Sequence, residues 1–274
     1  STLDRSSAAS DVYKRQDVLA GMEIEVTGSG PDGQRKLSGP IGLMGAMESE
    51  VELIQSCLVD AHPIEGPCPL VGGRLDGTDV LLAQCGVGKV NAALAASALV
   101  QNGASCIIFT GVAGAAGPDL DIGDVVVGNR FVQHDADGTA FDDPIGVVPG
   151  EPRSWQPDER LHTVLMGCAA RVFDARRRVV SGTIASGDQF IGDPAKVRWI
   201  HDTFDALAVE MEGAALAQAA SHLHVPFAVV RVLSDRADGT AVIDFPAFLA
   251  QAARHDRDLA RAVVAELSGG VPAV

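Results

Sequence analysis

From Ile41 onward, short apolar runs of strand length alternate with stretches whose apolar residues recur at three- and four-residue spacing. "PIGLMG" predicts a first strand, and "ESEVELIQSCLV" predicts a helix opening near Met47. "PLVGGRL" and "TDVLLAQCG" predict two strands joined at Asp76 and Gly77, because an Asp-Gly pair tolerates the positive φ angles of a tight hairpin turn. An alanine-rich helix, "GKVNAALAASALVQNG", follows and is closed by Gly103. Next come the strands "CIIFTGVAG" and "DVVVGNRFVQHD", a Gly-, Pro- and Asp-rich loop from Ala136 to Pro157, and the helix "DERLHTVLMGCAARV". "RRVVSGTIASGDQFI" predicts a strand, "ALAVEMEGAALAQAASHL" a strand running into a helix, "PFAVVRVLSD" a strand, and "FPAFLAQAARHDRDLARAVVAEL" a closing helix. Strands separated by helices predict an α/β domain with a parallel or mixed sheet, covered on both faces.

In such folds ligands bind beyond the carboxyl ends of the strands. The residues expected there are Met47, Glu48 and Glu50, then Val112, Ala113 and Gly114, then Glu210, Met211 and Glu212, and finally Ser234 and Asp235. Carboxylates recur along that edge, and each admits two readings. Glu48 and Glu50, like Glu210 and Glu212, sit where a helix begins, and the free N–H groups of a first turn favour anions. A carboxylate at a strand end is equally placed to move protons. Arg231, four residues before Asp235, reads either as half of a structural ion pair or as a neighbour of a strand-end acid.

Residues 1–39 carry little apolar periodicity and end in a Gly/Pro/Ser-rich stretch, so they are expected to be a tail or an extension foreign to the domain; residues 40–274 are expected to form one catalytic domain. Lys and Arg number 21 against 36 Asp and Glu, a formal charge of -15, which argues against polymeric nucleic acid and anionic membrane surfaces as partners. No apolar run approaches the length of about 18 residues that a membrane span requires. The five scattered cysteines contain no C-x-x-C pair and suit a reducing cytoplasm. "GVGKVN" has Asn91 where a dinucleotide fingerprint needs its third glycine, and "TGVAGAAG" lacks the Lys-Ser/Thr of a phosphate loop. Glycines there instead suit close approach of backbone to a small ligand. The His134, Asp135, Asp137, Asp142 and Asp143 cluster matches no standard metal-loop spacing, so neither a metal nor a cofactor is expected. His222 and His224, two apart, cannot share a helix face, and surface or cap roles suffice for them.

Seven motifs in order, "IGLMGAMESEV", "GVGKVNAA", "FTGVAGAAGPDLDIGDVVV", "HDADGTAF", "SGDQFI", "VEMEGAA" and "RVLSDRAD", resemble the 5′-methylthioadenosine/S-adenosylhomocysteine nucleosidases of the nucleoside phosphorylase/hydrolase superfamily. The resemblance runs from about Ile41 to Leu267. It implies a three-layer αβα fold with a mixed, partly barrel-like central sheet, a purine nucleoside as small-molecule substrate, and a homodimer. Glu50 would activate the attacking water, Asp235 would protonate adenine N7, and Arg231 would orient Glu50 or the water. Glu212 would accept the ribose hydroxyls beside Met211, with Val112, Ala113, Gly114, Glu210 and Ser234 also against the substrate. Phe190 would stack on adenine and Ile191 would offer main-chain hydrogen bonds to its edge. Met47 and Phe245 would line the ribose and alkylthio side, while Phe141 and Pro149 would come from the partner subunit.

Two positions depart from the family pattern. Val112 stands where many relatives, phosphorylases above all, have a Ser, and Gly138 stands where relatives often carry a larger apolar residue. The first change favours hydrolysis over phosphorolysis, since Val has no side-chain donor. The second leaves the preferred 5′-substituent open. A nucleoside phosphorylase, a nucleosidase for another 5′-modified adenosine of the aminodeoxyfutalosine type, and a non-catalytic purine-nucleoside sensor stand as alternatives.

Overall fold

The computed structural model describes residues 38–235 and 245–269, the side chains of 245–249 excepted. The expected N-terminal tail therefore lies, as far as residue 37, outside the described residues. The first half of the domain runs β1 (Ile41–Gly45), α1 (Glu48–Gln55), β2 (Val59–Ile64), β3 (Leu70–Leu75), β4 (Thr78–Gln84), α2 (Lys89–Gln101), β5 (Cys106–Phe109), β6 (Val112–Ala115) and β7 (Val125–Gln133). The second half runs α3 (Glu159–Val172), β8 (Val179–Ser186), α4 (Pro194–Phe204), β9 (Ala206–Glu210), α5 (Gly213–His222), β10 (Phe227–Asp235) and α6 (Phe245–Ser268). The hairpin forms as the sequence predicts, with Asp76 and Gly77 both at positive φ between Leu75 and Thr78.

The strands form one sheet in the order β2-β3-β4-β1-β5-β10-β6-β9-β8-β7, and β7 also pairs with β10. The five strands from β10 round to β7 thus close into a barrel, while β2 to β5 remain an open wing. β10 belongs to both parts. Its Phe227 to Val229 run parallel to β5, and its Val232 to Asp235 run parallel to β6. All nine of its residues are buried, and its side chains alternate between two cores. Ala228, Val230 and Val232 pack with residues of α1, α3 and α6, whereas Phe227, Val229 and Leu233 pack with residues of α2 and α5. Arg231 shares the parity of this second set, a cation where the pattern calls for an apolar side chain.

The structure corrects the sequence reading in three places. "CIIFTGVAG" is two strands, because the chain breaks at Thr110 and Gly111 to pass from the open wing into the barrel. β2 was not foreseen: "VDAHPI" is exposed along nearly its whole length and contains Pro63, features of an edge strand with no alternation to read. α4 was missed although its signals are present. Asp193 caps it by accepting the Ala195 N–H at 2.9 Å, Pro194 opens it, and Val197, Ile200 and Phe204 are its buried residues.

One residue of α6 is costly to bury. Asp256 is 1% exposed, and neither carboxyl oxygen has a hydrogen-bond partner of regular geometry among the described residues, although the Thr110 hydroxyl lies close enough to bias it. Burial, then the nearby charge of Glu50, push this carboxyl well above the ordinary Asp range, against a smaller opposing pull from Arg231. A carboxyl raised in the folded state holds its proton more tightly there, so stability present at low pH is lost as pH rises from the ordinary value towards the folded one. Asp256→Asn, which needs no proton to be neutral, should therefore be more stable than the parent at pH 7 by roughly 1–3 kcal/mol. Thermal unfolding across pH 4 to 8 should show the gap widening with pH. A gap that is flat or narrows with rising pH would mean that Asp256 is ionised in the folded protein.

Candidate active site

A cleft opens at the carboxyl ends of the strands where the open wing meets the barrel. Met47, Glu50, Val112, Ala113, Gly114, Phe190, Ile191, Glu210, Met211, Glu212, Ser234 and Asp235 all line it, each from a motif singled out in the sequence. Ala46, Val87, Gln189 and Val209 line it as well and were not foreseen, although they lie inside "IGLMGAMESEV", "GVGKVN", "SGDQFI" and "VEMEGAA", where a signal was available. Arg231 lies behind this lining, 1% exposed. Phe141 and Pro149 are exposed and outside it, and the side chain of Phe245 is outside the described residues.

Glu50 serves the start of α1 and also faces the cleft. It is the third residue of α1, and its carboxylate reaches back to the cap, accepting the N–H groups of Ala46 at 2.6 Å and Met47 at 2.9 Å on Oε2. Glu48, one turn position away, is exposed, and it alone is a purely helix-start anion. Oε1 of Glu50 accepts the Val112 N–H at 3.1 Å, which leaves a lone pair on that oxygen for a further donor. Burial raises the Glu50 pKa, against the opposing pull of Arg231 and these three backbone donors. The close approach needs glycine at 111: a Cβ there would stand 2.7 Å from Oε1.

Arg231 pairs with Glu210, not with Asp235. Its Nη2 donates to Glu210 Oε2 at 2.8 Å, both side chains are almost wholly buried, and the guanidinium carbon sits 3.9 Å from the centre of the Phe109 ring. Arg231 reaches Glu50 electrostatically, since its own donors go to the Val230 carbonyl at 3.1 Å and to Glu210. Glu210 in turn accepts the Gly213 N–H at 3.0 and 2.8 Å, the Glu212 N–H at 3.2 Å and the Ser186 hydroxyl, so it serves the start of α5 as a helix-start anion would. Glu212, free of that duty, accepts the Gly88 N–H at 2.7 Å. Burial, with Glu210 beside it, pushes Glu212 up to about 7.

Asp235 ends β10 after a register shift, 6% exposed. The Ser234 hydroxyl lies 2.7 Å from Asp235 Oδ2 and 3.2 Å from the Ala113 carbonyl. That hydroxyl can donate to an ionised Asp235, or donate to the carbonyl and accept from a protonated one, so both states of the acid are accommodated. Among the described residues no group of three or more His, Cys, Asp or Glu converges as metal ligands would, and no helix is long and apolar enough to cross a membrane.

Removing one member of the Arg231–Glu210 pair strands the other as an uncompensated buried charge, at a cost of about 3–5 kcal/mol. Arg231→Met and Glu210→Gln should each destabilise by about that amount, while the double variant should lose clearly less than their sum. Denaturant unfolding of the set measures the coupling, and simple additivity would show that the pair is not an energetic unit.

The family model of the phosphorylase superfamily matches residues 40–265. A 5′-methylthioadenosine/S-adenosylhomocysteine nucleosidase of Anoxybacillus flavithermus is 40% identical over 231 residues, which cover 83% of this chain and 99% of that one. The crystal structure of the nucleosidase of the same name from Neisseria meningitidis, in complex with methylthio-immucillin-A, is similar at a TM-score of 0.77 and 37% identity, covering 83% of this chain and 99% of that chain. The futalosine hydrolase of Helicobacter pylori reaches a TM-score of 0.77 at 33% identity, over 83% and 98% of the two chains. Likeness of this extent, along nearly the whole length of such relatives, settles that the chain belongs to the 5′-methylthioadenosine/S-adenosylhomocysteine nucleosidase family, N-glycosyl hydrolases of the phosphorylase superfamily.

Proposed function

We propose that the protein hydrolyses the N-glycosidic bond of 5′-methylthioadenosine or S-adenosylhomocysteine, with Asp235 as the acid and Glu50 as the base. The observation that carries the reading is the meeting of these two carboxylates in one cleft, each already supplied with the partners its role needs. As the C1′–N9 bond lengthens, its electron pair moves onto the purine and positive charge grows on the sugar. Asp235 gives its proton to N7, so the purine leaves as neutral adenine. Glu50 accepts a proton from the water whose oxygen bonds to C1′, and the sugar departs with a new hydroxyl. The three backbone donors hold Glu50 still while that lone pair works. Glu212, when ionised, accepts the ribose hydroxyls, and Phe190 covers the base. Arg231 acts through Glu210 and through its field on Glu50.

Val112 supports water rather than phosphate as the nucleophile, since its side chain adds no donor to the cleft wall. In phosphate-free buffer the protein should release adenine from methylthioadenosine, and Asp235→Asn should lower kcat by roughly 10²- to 10⁴-fold with KM little changed. Sugar 1-phosphate formed only when phosphate is added would overturn hydrolysis. Faster turnover of another 5′-modified adenosine of the aminodeoxyfutalosine type would move the reading towards that of the futalosine hydrolase of Helicobacter pylori.

The working unit is a homodimer in which Phe141 and Pro149 of one subunit complete the alkylthio end of the other's cleft. Support comes from Phe141 and Phe190, 74% and 77% exposed, and Val90, 70% exposed, large apolar groups that a single chain leaves in water. Sedimentation should give a dimer. Phe141→Ala should raise KM for methylthioadenosine by roughly 10- to 200-fold while adenosine, lacking the apolar group, suffers far less. A fully active monomer, or equal losses on both substrates, would exclude the shared site.

A further inference from the structure

Outside the cleft lining, three loops are tied by a closed ring of side chain and backbone. Lys89, first residue of α2, places Nζ 2.7 Å from Asp135 Oδ1 beyond β7. Asp135 Oδ2 accepts the Asp188 N–H at 2.9 Å, beyond β8. Asp188 Oδ1 returns to the start, accepting the Lys89 N–H at 2.8 Å. The Lys89 ammonium also donates to Gln133 Oε1 at 3.0 Å, and Gln133 Nε2 donates to Gln218 on α5 at 2.7 Å, which anchors the ring to the helix that Glu212 caps. The ion pair is sheltered, its side chains 21% and 13% exposed. Although burial opposes it, Lys89 and the Asp188 N–H hold Asp135 below the ordinary carboxylate range, so Asp135 stays ionised. Beneath it, His134 is kept neutral by burial and packs so closely under Gly187 that a Cβ there would fall 2.5 Å from its ring.

On two of the three loops the residues beside the ring line the cleft or bond to a residue that does. Gly88, immediately before Lys89, donates to Glu212, and Val87 lines the cleft; Gln189, Phe190 and Ile191 immediately follow Asp188. Gly88 itself, at φ 102°, leaves room for Asp188 Oδ1, which a Cβ would approach to 3.1 Å. We propose that the Lys89–Asp135–Asp188 ring is a positioning device that sets the Gly88–Glu212 hydrogen bond and the 189–191 loop together, so one charge network registers the sugar-hydroxyl acceptor against the wall that holds the base. None of the three is a catalytic residue. The assignment of sugar and base sides rests on the nucleosidase reading; the hydrogen-bond geometry does not.

Loosening the ring should weaken the Gly88 N–H bond, which together with Arg231 pulls the Glu212 carboxyl down against burial and the charges of Glu210 and Glu50, while burial keeps the nearby Cys85 thiol neutral. Lys89→Met keeps the aliphatic stem and removes the ammonium. In protein carrying ¹³C-labelled Glu, with Glu212 assigned through Glu212→Gln, the Glu212 carboxyl should titrate at least about half a pH unit higher in Lys89→Met than in the parent. With methylthioadenosine, kcat/KM should fall roughly 10- to 100-fold, carried mostly by KM, and its acidic limb should move to higher pH by the same shift. Lys89→Arg, which keeps the charge, should recover most of both. If Lys89→Met does not fold, Asp188→Ala at an exposed position breaks the same ring and should give the same titration shift. An unshifted Glu212 and an unchanged KM in a folded variant would overturn the proposal. Should the parent release no adenine, the nucleosidase reading would fail, while the carboxyl titration would still decide the ring.

Discussion

The site is organised around a single desolvated cation. The guanidinium of Arg231 is buried inside a strand whose every residue is shielded from water, and it faces Glu50, Glu210 and Glu212. Three carboxylates brought this close in a dry cleft would repel one another and take up protons. One guanidinium opposes that tendency: it lowers the pKa of Glu50 and of Glu212 against burial, while its planar fork is spent on Glu210. Phe109 supplies a face for the cation to lie on, so its desolvation is offset by packing as well as by charge. Glu210, held by Arg231, fixes the first turn of α5 and hence Glu212 at its cap. The same ion pair thus serves the fold and the ionisation of the groups assigned to catalysis.

The architecture makes this convergence possible at the seam between open sheet and barrel. β10 leaves one and enters the other, and the break at Thr110 and Gly111 lets the neighbouring β5–β6 segment make the same transfer. The break has a chemical result: it turns the Val112 N–H onto Glu50 and brings backbone without a side chain against its carboxylate. Strand ends that fan apart at such a seam open the crevice in which α/β folds bind ligands.

Stability is given up in return. Asp256 carries a desolvated carboxyl that the charge of Glu50 helps to hold protonated, and Glu212 is raised to about 7. The two large cores flanking the sheet are built mainly from Val, Ile, Leu and Ala, with Phe109, Phe131, Phe227, Trp155 and Phe173 among them, and hold the seam in place despite this cost.

Much of this was legible in the residues. Short apolar runs of strand length located β1, β4 and β10, the Asp-Gly pair located the hairpin, and the position of Glu50, Glu212 and Asp235 at strand ends marked them as candidates whose roles came from the motif resemblance, because such signals depend only on neighbours a few positions apart. β2 escaped because an exposed edge strand has no buried face to impose alternation, and α4 escaped although its cap and apolar spacing were there to be read. The partner of Arg231 could not be read at all. Asp235 is four residues on, yet along an extended strand that is about 13 Å away, whereas Glu210, 21 positions back, lies in hydrogen-bond contact. Nor could the sequence tell that Lys89, Asp135 and Asp188, from three separate motifs, close one ring. The sequence by itself determined the local elements and which residue types stand at their ends. Strand order and register decided which of those ends meet, since contacts between distant segments depend on the packing of the whole chain and not on spacing along it.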